Sequence, residues 1–258
     1  MTSPSRADLA GRRARFRTLH HSGCFALPNP WDGGAAVRLA KAEFQALAST
    51  SAGAAWALGR ADGEMTLDEV LEHLRFLAQV TELPLNADFE AGFSDTAEGV
   101  ASNVARCVDT GVAGLSIEDK DPRTNAFFPR DEAVARVRAA RAAIDRSGAE
   151  VMLVGRCEAY LMKDALDIDE VVARLNAYAE AGADVLYAPG IKTLEPTAEI
   201  VRRVSKPVNA NLTATGLSVA DFAGVGVRRV SVGGALARAA YDAVDAHARL
   251  LAETGRLP

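Results

Sequence analysis

Short apolar runs alternate along this chain with longer stretches in which apolar and small residues recur every three to four positions. The short runs fall at 25–28, 44–48, 83–87, 114–117, 151–155, 184–188, 207–210 and 229–232, and they predict eight strands. Helical periodicity fills 33–41, 67–80, 96–110, 130–146, 168–181, 194–204, 219–223 and 235–253. Gly111, Gly148 and Gly182 follow three of these stretches as helix stops. Pro84 and Pro207 open strands, where a missing N–H is tolerated. Strands alternating with helices imply a parallel sheet, and eight such units in 258 residues predict an α/β fold of the (β/α)8 TIM-barrel type. With no linker, charge block or low-complexity segment, the expectation is a single domain spanning 1–258.

Composition narrows the partners. The chain carries 29 basic and 34 acidic residues, a net charge of −5, which argues against a nucleic-acid or membrane-surface partner. Only five of the basic residues are Lys. Cys24, Cys107 and Cys157 are widely spaced and odd in number, so neither a disulfide framework nor a zinc site is indicated. A reducing, cytoplasmic setting is expected. No apolar run approaches the ~20 residues of a membrane span. The Arg-rich segment 6–17 has no apolar region after it and is expected to be an exposed amphipathic helix rather than a secretion signal.

In such a barrel, reactive groups stand at the C-terminal ends of the strands. Three neighbouring runs end in acids or a base: Asp88 with Glu90, then Glu118, then Arg156. If the third strand continues, Asp88 and Glu90 share one face by their two-residue spacing. Glu118 would then stand one strand away, about 4.8 Å across the sheet. Converging carboxylates repel unless a cation joins them. Oxygen donors without His or Cys suit magnesium rather than zinc. Single acids at strand ends often just cap helices; three together favour the metal reading. A guanidinium at Arg156 suits bidentate capture of a carboxylate, or equally a salt bridge to Glu118 or Glu158. The small residues Thr50, Ser51 and Ala52 after the second run let a substrate approach backbone N–H groups, although a plain tight turn reads equally well. Asn211 ends the seventh run and joins them as a candidate substrate contact. Cys157 follows Arg156 and should turn away from the mouth, buried and inert.

Taken together, ASTSAGAAWALGRADGE (48–64), ADFEAGF (87–93), GVAGLSIEDK (111–120), VGRCEAY (154–160) and AGADVLYAPG (181–190) resemble the isocitrate lyase/phosphoenolpyruvate mutase superfamily, with the likeness running over 28–211. The resemblance implies that Asp88, Glu90 and Glu118 hold magnesium, partly through waters, with Asp62 nearby. It implies that Arg156 binds the substrate carboxylate and that the Ser51 and Ala52 amides bind its other end. It also implies a mobile gating loop after Glu118, on which Arg123 and Asn125 approach the reacting group. A homotetramer or dimer is implied as well, often with the last helix exchanged.

The loop 119–132 reads DKDPRTNAFFPRDE, without the Cys and His of the bond-cleaving lyases, and Pro189 stands where the mutases carry His. The expected function is therefore a magnesium-dependent lyase acting on a small 2-oxo acid through an enolate. Decarboxylation of an oxaloacetate-like substrate fits best because it needs no acid to break the bond. For C–C cleavage, Tyr160, Lys120 or water are the candidate acids. The alternatives are phosphonate P–C chemistry, for which the Arg123-Thr124-Asn125 segment speaks, a phosphate-binding barrel using Gly233-Gly234, and a non-catalytic barrel that binds 2-oxo acids.

Overall fold

The computed structural model describes residues 4–163, 166–212 and 216–257. In chain order these form α1 (Arg6–Leu19), β1 (Phe25–Leu27), α2 (Gly33–Lys41), β2 (Leu47–Ala48), α3 (Ser51–Ala57), α4 (Leu67–Val80) and β3 (Leu85–Asp88). Next come α5 (Ala97–Val108), β4 (Gly114–Glu118), β5 (Lys120–Asp121), β6 (Ala126–Phe127), α6 (Arg130–Ser147) and β7 (Met152–Arg156). The chain continues through α7 (Ile168–Glu180), β8 (Val185–Tyr187), α8 (Leu194–Arg203), β9 (Val208–Asn211), α9 (Val219–Gly224), β10 (Arg229–Ser231) and α10 (Ala235–Thr254).

Eight strands form one parallel sheet in the order β1-β10-β9-β8-β7-β4-β3-β2. Its edges meet where Ala48 N donates to Pro28 O at 3.1 Å. The sheet is thus a nearly closed (β/α)8 barrel with the predicted eight strands. The helices follow from their sequences. In α4, Thr66 and Glu69 form a reciprocal cap, and Val70, Leu71, Leu74, Leu77 and Ala78 make one buried stripe. Gly148 ends α6 in the left-handed conformation, with φ at 65°.

Alternation along the strands separates two layers. Leu85, Ala87, Leu115, Ile117, Leu153, Leu186 and Val208 point outward against the helices. Leu27, Ala48, Met152, Val154, Val185 and Tyr187 point into the barrel and pack with Phe16 of α1. Gly114 leaves room at this level, because a Cβ there would stand 2.6 Å from Asn86 Oδ1 and 2.8 Å from Phe16 Cε1.

Three features depart from the sequence reading. The Arg-rich N-terminal segment is helical but not simply exposed. Arg12 donates to Ala78 O and Thr81 O, Arg13 donates to Val112 O and Val108 O, and Phe16 is fully buried. The run 48–53 opens a short helix, α3, which its small residues gave no periodicity to predict. The loop after Glu118 folds back on itself as the antiparallel pair β5–β6. Among the described residues, no helix is long and apolar enough to cross a membrane, and all three cysteines are free.

Candidate active site

The barrel mouth opens into a cavity of about 620 Å³. Thr50, Ser51, Ala52, Asp88, Arg156 and Asn211, singled out near strand ends, line it, and so does Asp62, which the family resemblance alone pointed to. Glu90, Glu118, Arg123 and Asn125 do not.

Asp88 is the junction between β2 and β3. Its Oδ2 accepts from Ser51 N at 3.0 Å and from Ser51 Oγ at 3.1 Å, and its own amide donates to Ser49 Oγ at 2.8 Å. The Ser51 amide is therefore committed to Asp88 in this structure. Arg156 Nη1 donates to Asp88 Oδ1 at 2.9 Å and pairs with Glu118 Oε2 at 3.4 Å, while its Nε binds Glu158. The sequence reading left Arg156 open between a salt bridge and a substrate contact. Its Nε and Nη1 make the salt bridge, and among the described residues Nη2 has no partner.

The three carboxylates expected to converge do not form a direct cage. Among the described residues, no three His, Cys, Asp or Glu side chains stand close enough together to hold a metal ion. The cause is local. Strand β3 ends at Asp88, and Glu90 takes a left-handed φ of 45°, so the two-residue alternation assumed for the pair is broken. Arg156 lies between Asp88 and Glu118. The acids still sense one another. Burial, then Asp88 and Asp62, push the Glu90 carboxyl up from 4.5 to about 8, and Glu90 Oε1 is buried without a partner. Burial also raises the Glu118 carboxyl well above its usual range, with Glu158, Asp88 and Glu90 adding to the effect and Arg156 opposing it.

The gating-loop candidates lie apart from the cavity. Arg123 pairs with Asp121 at 3.1 Å and with Asp95 at 3.3 Å. Asn125, with φ at 55°, donates its backbone N–H to Asp121 O at 2.9 Å and closes the turn of the β5–β6 pair. At the Gly233-Gly234 turn, Asn29 Oδ1 accepts from Val232 N at 2.9 Å and Gly233 N at 3.0 Å, so those two amides are already paired.

Sequence reasoning missed three groups. Asp119, 1% exposed, accepts from Glu158 N at 2.9 Å, Tyr178 OH at 2.7 Å and Arg174 Nη1 at 3.3 Å, and so fixes the partner of Arg156. Tyr187 lies inside the cavity with its ring 5.5 Å from the Arg156 guanidinium. Its hydroxyl oxygen accepts from Asn211 Nδ2 at 3.0 Å and Ser231 Oγ at 3.5 Å. Arg229 stands deeper, on β10. Polar residues at alternate strand positions, Arg229 with Ser231 and Asn209 with Asn211, were the readable signal. Neither Tyr160 nor Lys120, the acids considered from sequence, lines the cavity. Cys157 is fully buried with its thiol held well above the usual range, first by burial and then by Asp119.

A family model described as phosphoenolpyruvate phosphomutase matches residues 16–252. The 2-methylisocitrate lyase of Escherichia coli is 34% identical over 185 residues, 68% of this chain and 61% of that protein. A crystal structure from Burkholderia cenocepacia J2315, assigned provisionally to the lyases or mutases, superposes with a TM-score of 0.93 at 42% identity, over 97% of this chain and 91% of that one. The structure of oxaloacetate acetylhydrolase with its product oxalate gives a TM-score of 0.88 at 26% identity, over 97% and 89% of the two chains.

Proposed function

Because the chain belongs to the phosphoenolpyruvate phosphomutase family, and so to the isocitrate lyase/phosphoenolpyruvate mutase superfamily of lyases and mutases, we propose that it is a magnesium-dependent lyase of small 2-oxo acids, with decarboxylation of an oxaloacetate-like substrate its best-supported reaction. The observation that carries this reading is Arg156, a half-buried guanidinium that lines the cavity beside Asp88 and the Ser51 turn and whose Nη2 has no partner among the described residues.

The residues fit a hydrated divalent cation. All the nearby donors are carboxylate oxygens, Glu90 Oε1 is buried and unpartnered, and the carboxyls of Glu90 and Glu118 resist ionisation without a further positive charge. Asp88, Glu90, Glu118 and Asp62 would hold it with waters completing the set, as magnesium prefers. When bound, the ion supplies Lewis-acid polarisation of the 2-oxo group. Arg156 Nη2 binds the carboxylate next to that group and stabilises the negative charge that grows as the bond to the leaving carbon breaks. Thr50, Ala52 and Asn211 orient the substrate from the β2 and β9 sides, while Ser51 holds Asp88 in place. Carbon dioxide leaves without the bonding electrons, which remain as an enolate; in a C–C lyase the hydroxyl on the departing carbon also gives its proton to water as that fragment becomes an aldehyde. Tyr187 then protonates the enolate carbon and is reprotonated from water: its oxygen accepts from Asn211 and Ser231, which leaves its O–H free to donate. Arg123 and Asn125 contribute by closing the β5–β6 loop over the mouth to exclude water.

Phosphonate chemistry has less support, because Pro189 stands where the mutases carry His. The proposal includes a homo-oligomer in the cytoplasm. Helix α10 buries only Ala237 within one chain and leaves Val244 and Leu251 exposed, an apolar face that a second copy would cover. The site is tested by titrating oxalate, a planar mimic of an enolate of pyruvate. Binding with magnesium and none with EDTA supports the reading; binding indifferent to the metal overturns it.

A further inference from the structure

The interior of a TIM barrel is ordinarily filled with branched apolar side chains. Here the lower part of the cavity is polar. Arg229 extends inward from β10, 2% exposed, and lines the cavity beneath Asp88 and Arg156. Its Nε donates to Asn209 Oδ1 at 2.9 Å and its Nη1 to Asn86 Oδ1 at 3.2 Å. Below it, His20 Nδ1 donates to Phe16 O at 2.8 Å, which leaves Nε2 as an acceptor 3.5 Å from Arg229 Nη1. Burial first, then Arg229, hold that imidazole down to about 3, so it is a neutral partner.

Every hydrogen-bond partner of Arg229 is therefore neutral. Among the described residues it makes no ion pair, its Nη2 has no partner, and Nη2 is not sealed from the cavity. A buried positive charge without an anion is costly, and this one faces empty space. Arg156 reaches β3 from β7 and Arg229 reaches it from β10, on the other side of β8 and β9: Arg156 holds Asp88, Arg229 holds Asn86, and those two residues are two apart on β3. At about 3.3 Å rise per residue the two guanidiniums are therefore roughly 7 Å apart along the barrel. A four- or five-carbon chain with a carboxylate at each end spans such a gap.

We propose that Arg229, with Asn86 and Asn209, forms a second carboxylate subsite at the cavity floor, so that the enzyme selects four- or five-carbon dicarboxylic 2-oxo acids over monocarboxylic ones. This rests on the reading of the upper site given above and adds the far end of the substrate. The orientation follows: the 2-oxo end lies at the mouth by Arg156 and the distal carboxylate descends to Arg229. In C–C cleavage that carboxylate leaves on the aldehyde fragment with its charge intact. In decarboxylation it is the group lost, so the Arg229 ion pair is given up as carbon dioxide departs. The neutral amides and imidazole hold the guanidinium in place without satisfying its charge, which is what selectivity for an anion requires.

The test is isothermal titration of the purified protein, with magnesium, using 2-oxoglutarate, 2-oxovalerate and pyruvate. 2-Oxovalerate matches 2-oxoglutarate in length but ends in a methyl group. The wild type is expected to prefer 2-oxoglutarate to 2-oxovalerate at least tenfold; equal affinities overturn the proposal without any variant. Arg229→Met is expected to reduce that preference to less than threefold while pyruvate affinity stays within threefold. Arg229→Lys is expected to keep part of it. A folded Arg229→Met that retains the preference, or that loses all three ligands equally, reduces Arg229 to a packing role and overturns the subsite while leaving the upper site standing. Failure of pyruvate to bind the wild type overturns the upper-site reading, and this proposal with it.

Discussion

Replacing Glu90 by Gln keeps the size of the side chain and removes its charge. In the metal-free protein the Glu90 carboxyl keeps its proton up to about pH 8, whereas the unfolded chain releases it near 4.5. Between those values the folded state binds more protons than the unfolded one, so this residue makes stability fall as pH rises through the window. At about 1.4 kcal/mol per pH unit, the full cost at pH 8 is about 4–5 kcal/mol, an upper bound because the site relaxes and admits water. Glu90→Gln should therefore be more stable than wild type in EDTA at pH 8, by about 2 kcal/mol or more, and nearly equal to it at pH 5. Urea unfolding at the two pH values measures this. Magnesium should reverse the order, because only the wild type offers the ion a fourth carboxylate and gains stability from binding it. Equal stabilities in EDTA at pH 8, or a magnesium gain of the same size in both proteins, would refute the idea that Glu90 is a carboxylate awaiting a cation.

Arg156→Gln leaves Glu118, Asp88 and Glu158 without their shared cation; turnover should fall about 10²–10³-fold and metal-free stability by about 3–5 kcal/mol, read by steady-state kinetics and urea melts. His20, held near 3 when folded against 6.5 when free, has the opposite sign to Glu90: its contribution is complete above pH 6.5 and is lost as pH falls toward 3. His20→Gln should therefore flatten the acid limb of the stability profile relative to wild type, and an unchanged slope would contradict a neutral buried imidazole. Gly114→Ala forces a Cβ against Asn86 and Phe16 and should lower stability by about 1–3 kcal/mol in thermal unfolding.

Helix α4 was readable almost to the residue, because its apolar stripe and its Thr66–Glu69 cap are both local signals. The barrel was readable because eight short apolar runs alternate with such helices. Helix α3 was not, since a run of Ala, Gly and Ser has no hydrophobic period. At the site, Asp88 and Arg156 came together as strand-end reasoning expects. The placement of Glu90 escaped it: the pattern D-x-E looks like a continuing strand, and only the backbone turning left-handed at Glu90 ends it. Tyr187 and Arg229 were hidden for another reason. In strands of three residues, a single polar group such as Tyr187, or one alternation such as Arg229 with Ser231, is a signal too short to reveal which face is inward until the neighbouring strands set the register.

Pyruvate release from oxaloacetate, measured with magnesium and with EDTA and corrected for the rate produced by magnesium alone, reads the metal site and Arg156 together. A magnesium-dependent 2-oxo acid lyase should give release well above that background, abolished by EDTA and reduced to near background in Arg156→Gln. Release no faster than magnesium alone, or equal release from wild type and Arg156→Gln, would contradict it.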